Sequence, residues 1–203
     1  MNTSTTFYAD LQALPHGACF FDGDNGYFAV ANKRLVYSPA AILAHLSRKS
    51  QIKLAVSCAN FTANLRDESP KVREALMDEM RMCGITHIEQ PLSVKDLVDK
   101  ILLLEISSCV FKNPEIEAYF LVSGDADMLP AVDFLKRSGK YVCIISSPEV
   151  NPHYVRAADE WINIFDLEFP EQGGFYMPPY RRGNVFDIDD LDRPYPARRR
   201  SSI

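Results

Sequence analysis

The sequence predicts an α/β fold, a three-layer α/β/α sandwich on a mostly parallel central sheet. Short apolar runs of strand length alternate with longer segments whose apolar residues recur at helical spacing. Such alternation sets strands side by side and sends crossover helices over both faces of the sheet. Two of the strand-like runs also end abruptly in acidic residues and glycine. An open parallel sheet binds its ligands beyond the carboxyl ends of its strands, so those acids sit where chemistry is expected.

Strands are expected over 18–22, 53–57, 87–89, 119–123, 141–145 and 162–165, with helical segments over 39–47, 69–83, 94–108, 129–138 and 153–159 between them. Val72, Leu76 and Met80 share one helical face, as do Val132 and Leu135, while 94–108 is apolar almost all round. Ser69–Pro70 is a good helix start, because serine caps and proline is tolerated in the first turn. Gly84 and Gly139 stand where helix C-caps belong. Right-handed crossovers of this length make the sheet doubly wound.

Composition sets the outer limits. With 203 residues, 47% apolar and 24% charged, the chain has enough material for one complete core and is neither disordered nor membrane-like. No apolar run approaches the roughly 20 residues of a membrane-spanning helix. Met1–Asp10 has neither a basic segment nor an apolar core, so no signal peptide is expected and the cytoplasm is the expected location. A net charge of −5 argues against a protein that coats nucleic acid, yet leaves room for an enzyme acting on it. Cys19, Cys58, Cys83, Cys109 and Cys143 are odd in number and lack a CxxC pair, which fits buried reduced thiols. The four histidines are dispersed, and no phosphate-binding glycine loop is present. After Phe169 proline, glycine and arginine break the periodicity, so a domain over 1–169 and a mobile or loosely docked extension over 170–203 are expected.

The chemistry is expected at Asp22-Gly-Asp24-Asn25 and at Ser123-Gly-Asp125-Ala-Asp127. If the two strands are neighbours, Asp22 and Asp125 converge. Two unit charges at 4 Å repel by about 4 kcal/mol at an effective dielectric near 20, so a proton, a basic partner or a cation must offset them. An all-oxygen site of this kind suits Mg²⁺ or Mn²⁺. The plainer alternative is that each aspartate caps a following helix. Asp99 lies in the apolar segment 94–108, where an unpaired carboxylate is costly to bury. Asp96 shares its face, whereas Glu105 falls about 120° around the helix, so Asp99 and Glu105 do not both point at one ion.

These residues resemble the NYN domain family, in the LabA-like branch of the PIN-like nucleases. The resemblance rests on Phe21-Asp22-Gly-Asp-Asn25, on Asp99 followed six residues later by Glu105, and on Ser123-Gly-Asp125-Ala-Asp127-Met128. Phe134-Leu-Lys-Arg-Ser-Gly139-Lys-Tyr-Val142 and Ala158-Asp159-Glu-Trp-Ile162 continue it in order. It covers 18–26 and 94–165, while 27–90 fit by strand and helix pattern alone. The chain departs from the family at Glu105, where aspartate is usual, at Ala126 and Met128, where serine and phenylalanine are common, and at the added acid Asp24.

The resemblance implies a PIN-like, Rossmann-like topology and a Mg²⁺- or Mn²⁺-dependent ribonuclease, most simply an RNA endonuclease. It implies Asp22, Asp99 and Asp125 as metal ligands, with Asp127 and Glu105 in catalytic support. Asn25 would orient Asp22 or hold a phosphate oxygen, Ser123 would donate to phosphate or metal-bound water, and Lys95 stands close in sequence to attract RNA. Lys33–Arg34, Arg48–Lys49, Lys136–Arg137, Lys140 and Arg156 are further basic candidates, with a solvated surface as their plainer reading. Tyr27 and Phe28 would stack on a base or pack on the sheet. A homo-oligomer, and a protein partner through the extension, are open expectations. Two alternatives stand beside the nuclease: a non-catalytic NYN-like module that binds RNA or protein, and a haloacid-dehalogenase-like phosphatase using Asp22 and Asp24.

Overall fold

The structure is a computed structural model, described over residues 14–33, 35–65, 70–90 and 97–168. One sheet holds β1 (His16–Asp22), β2 (Gln51–Ala59), β3 (Thr86–Glu89), β4 (Ala118–Val122), β5 (Tyr141–Ser146) and β6 (Glu160–Asn163). The order is β3-β2-β1-β4-β5-β6, and every neighbouring pair is parallel. The central strands read as unbroken apolar runs because both faces are covered, and all five residues of β4 are buried.

The helices are α1 (Gly23–Ala31), α2 (Pro39–Leu46), the single turn α3 (Phe61–Asn64), α4 (Pro70–Met82), α5 (Leu97–Lys112), α6 (Leu129–Arg137) and α7 (Pro152–Ala157). Phe21, Tyr27, Leu43, Met80 and Ile145 belong to the core on one face of the sheet. Phe20, Leu102, Ile106, Val132 and Tyr154 belong to the core on the other. Adjacent Phe20 and Phe21 divide between the two because side chains alternate along a strand.

Several elements differ from the sequence expectation. Helix α1 follows β1 at once, where glycine-rich sequence hid it: Gly23 and Gly26 are poor helix formers, and the start depends on the Asp22 cap. Strand β6 begins two residues earlier than expected, and 164–166 form a 3₁₀ turn. Helix α5 runs on to Lys112, because a segment apolar all round carries no periodic mark of its end. The expected cap Ser69, the helix start at 94–96 and the extension 170–203 lie outside the described residues.

The C-caps come out as expected. Gly84 and Gly139 have φ of 70° and 71°, and Ile85 N–H donates to Met80 O and Lys140 N–H to Leu135 O, both at the end of a helix. All five cysteines are free and buried. Between helices, buried Glu79 of α4 accepts from Ser38 Oγ at 2.6 Å and from Ala40 N at 2.9 Å, so it caps the start of α2.

Topology positions the site. After β3 the chain crosses to the far side of β1, so β1 and β4 are the pair at which strand order reverses. A crevice opens there beyond their carboxyl ends.

Candidate metal centre

Asp22 is the last residue of β1, and Ser123 is the first after β4. Register pairs Phe21 with Val122, which brings the two next residues together. Ser123 Oγ donates to Asp22 Oδ2 at 3.1 Å and accepts from Asp125 N at the same distance. Asn25, in the first turn of α1, accepts from Gly124 N through its Oδ1 at 2.8 Å. Its own N–H donates to Asp22 Oδ1 at 3.1 Å. The two acidic strand ends are thus stitched into one loop-to-loop network.

Above that network lie three carboxylates. Asp125 caps the 3₁₀ turn Ala126–Met128 and accepts from Asp127 N at 2.9 Å. Asp99 stands in the first turn of α5. One oxygen from each of Asp99, Asp125 and Asp127 lies within 4.8 Å of the others. The capping alternative is therefore also true, since Asp22 and Asp125 both cap, and capping is what aims them into the crevice.

Electrostatics mark the centre. The carboxyl of Asp22 is pushed up to about 7, first by burial, with the negative charges of Asp99 and Asp24 adding and the Asn25 and Ser123 hydrogen bonds opposing. Asp24 turns toward the end of β2, where its Oδ2 accepts from Asn60 N at 2.8 Å, and its other oxygen is buried without a partner. Tyr154, fully buried on α7, also has a hydroxyl with no hydrogen-bond partner. It sits in the field of Asp22, Asp125 and Asp99, which together with burial raise its pKa. An all-oxygen donor set of clustered carboxylates fits a hard divalent cation.

The family model for the NYN domain matches residues 17–166. The chain belongs to the NYN domain family. NYN domains fall in the PIN-like nuclease superfamily and are generally nucleases, typically using divalent metals. Among solved structures, a protein of unknown function from Vibrio parahaemolyticus is similar at a TM-score of 0.63. It is 21% identical, and the match covers 77% of this chain and 98% of that one, which is a likeness of fold. No curated protein matches the chain.

Within this NYN domain the expected site residues fall into groups. Asp22, Asn25, Ser123 and Asp125 form the network, and Asp99, Asp125 and Asp127 the carboxylate triplet. Glu105 is half-buried in mid-α5 and is not in the triplet. Six residues of helix carry it about 9 Å along the axis and about 120° around from Asp99. Lys95 and Arg34 lie outside the described residues.

The other basic candidates are largely engaged. Lys33 pairs with Glu149 at 3.7 Å, Lys49 with Glu160 and Lys136 with Asp159. Lys140 donates to the carbonyls of Pro114 and Ile116. Tyr27 is buried edge-on to Phe28, Tyr37 and Phe61, so it packs, while Phe28 is exposed. Trp161 is a partly exposed edge-strand residue whose Nε1 donates to Ser146 Oγ.

Two residues escaped the sequence reading. Lys100 lines a cleft of about 220 Å³ with Asp99, Leu103, Asp127, Met128 and Ala131. Its only signal in the sequence is adjacency to Asp99. Tyr154 has none, because its place within reach of the acids is set by how α7 packs against α6.

Proposed function

We propose that this NYN domain is a metal-dependent ribonuclease that hydrolyses RNA phosphodiester bonds endonucleolytically at the crevice between β1 and β4. The observation that carries the proposal is the meeting of Asp99, Asp125 and Asp127, with Asp125 joined through Ser123 to Asp22. Asp99, Asp125 and Asp127 would hold Mg²⁺ or Mn²⁺, with Asp22 supplying negative charge from beneath. The bound ion supplies a water made nucleophilic near neutral pH and charge stabilisation for the leaving oxygen.

The chain's own residues do the rest. Ser123 and Asn25 hold the two strand-end loops at fixed separation, which preserves the spacing of the acids. Lys100 offers an exposed ammonium at the cleft for a backbone phosphate, needed because the acids themselves repel RNA. The phosphatase alternative has no matching support, since Asp24 is engaged by Asn60 N rather than placed with Asp22 in the crevice.

The test is cleavage of end-labelled single-stranded RNA with Mn²⁺ or Mg²⁺, against EDTA and against Asp22→Asn and Asp125→Asn. Internal cuts that require metal and vanish in both variants are expected. RNA binding without metal-dependent cutting would replace the nuclease with a non-catalytic RNA-binding module.

A further inference from the structure

Tyr154 presents a puzzle of its own. Its side chain is fully buried in the apolar core between the sheet and α5, α6 and α7, the same cluster that holds Met128 and Ala131 next to the acidic turn. A buried hydroxyl without a partner is destabilising, a burden that phenylalanine in the same space would avoid. The charged groups acting on this hydroxyl are three site aspartates: Asp22, Asp125 and Asp99. Among the described residues, no lysine, arginine or histidine counts among the groups that shift it. The one polar atom of the ring is thus buried within electrostatic reach of the carboxylates and in contact with no acceptor.

We propose that Tyr154 is a positioning residue, whose hydroxyl donates into the carboxylate cluster when the cluster holds its cation. The inference rests on the metal-dependent reading of the site and adds a member that the acidic motifs do not contain. A hydrogen bond from beneath orients a ligand carboxylate and limits its rotation, and loss of such a supporting partner typically weakens metal binding 10- to 100-fold. In the metal-free protein the same hydroxyl is a burden on stability. The two states therefore pull in opposite directions on one atom.

That opposition makes the test sharp. Tyr154→Phe and Tyr154→Met each remove the hydroxyl, and methionine adapts to the vacated volume. Binding of Mn²⁺ alone is measured by calorimetry for the full chain and both variants, together with the melting temperature with and without Mn²⁺. The expected result for Tyr154→Phe is an unchanged or higher metal-free melting temperature, with a Kd for Mn²⁺ raised about tenfold and a smaller Mn²⁺-induced rise in melting temperature. Tyr154→Met is expected to weaken Mn²⁺ binding in the same direction. An unchanged Kd in both variants would show that Tyr154 only fills the core, and would overturn the inference while leaving the metal site intact. Absence of Mn²⁺ binding by the unmodified chain is a different failure: it removes the metal-dependent reading and this inference with it.

Discussion

Ser123 Oγ donates to Asp22 Oδ2 at 3.1 Å across 101 residues of sequence. The bond ties the carboxyl end of β1 to that of β4 at the one place where the strand order reverses. It explains how two separately capped aspartates become one site. Because the same hydroxyl accepts from Asp125 N, Ser123 also sets where the triplet begins.

Asp22→Asn should stabilise the metal-free protein at pH 8. Burial raises the folded pKa from 3.8 to about 7. Its contribution is thus fully present below pH 3.8 and is lost as pH rises through 7. The variant removes that loss, with an upper value on the order of 4 kcal/mol at 1.36 kcal/mol per pKa unit. Urea titrations of both proteins at pH 5 and pH 8 measure it: the gap, small at pH 5, should widen to its full size at pH 8.

Metal binding should strengthen as pH rises through about 7, because the cation needs the charge that Asp22 withholds while protonated. Mn²⁺ titrations between pH 6 and 8 should show this in the unmodified chain. In Asp22→Asn the dependence should flatten.

The triplet should outrank Glu105. Asp125→Asn and Asp127→Asn should each lower metal-dependent cleavage roughly 10²-fold or more, the scale of removing one preorganised electrostatic group. Glu105→Gln should cost less than tenfold, because mid-α5 is away from the triplet. Single-turnover rates on one RNA decide the order.

Lys100→Ala should weaken RNA binding more than Lys136→Ala, since Lys136 is already paired with Asp159. Losing one phosphate contact should lower the slope of log K against log salt by about 0.7 for single-stranded RNA. Fluorescence anisotropy at several salt concentrations, with Ca²⁺ in place of the reactive metal, gives that slope.

Glu79→Ala should destabilise the fold by about 2–4 kcal/mol, because Ser38 Oγ and Ala40 N–H lose a shared buried acceptor. A lower urea midpoint with an unchanged slope would show it. At the edge of the sheet the pH sign is opposite to that of Asp22. His87 and Thr62 hold the Glu89 carboxyl below its ordinary value against the effect of burial. Its contribution to stability is therefore present above that value and lost as pH falls. Glu89→Gln should accordingly narrow the difference in stability between pH 6 and pH 4.

Much of this was legible in the residues themselves. Alternating apolar runs mark β1, β2, β4 and β5 because each is buried on both faces. Gly84 and Gly139 announce helix ends because a left-handed turn favours glycine. The acids at 22, 125 and 127 declare themselves as charges placed where an apolar strand stops. These are local signals, carried by neighbours in the chain. The tertiary structure decided what no local signal contains: that β1 lies beside β4, that the triplet is Asp99, Asp125 and Asp127, and that Lys49 and Lys136 spend their charge on Glu160 and Asp159. It alone brought Tyr154 within reach of the acids. Spacing along a chain sets which side of a helix or strand a residue occupies, but only the order in which strands pair determines which distant residues share a crevice.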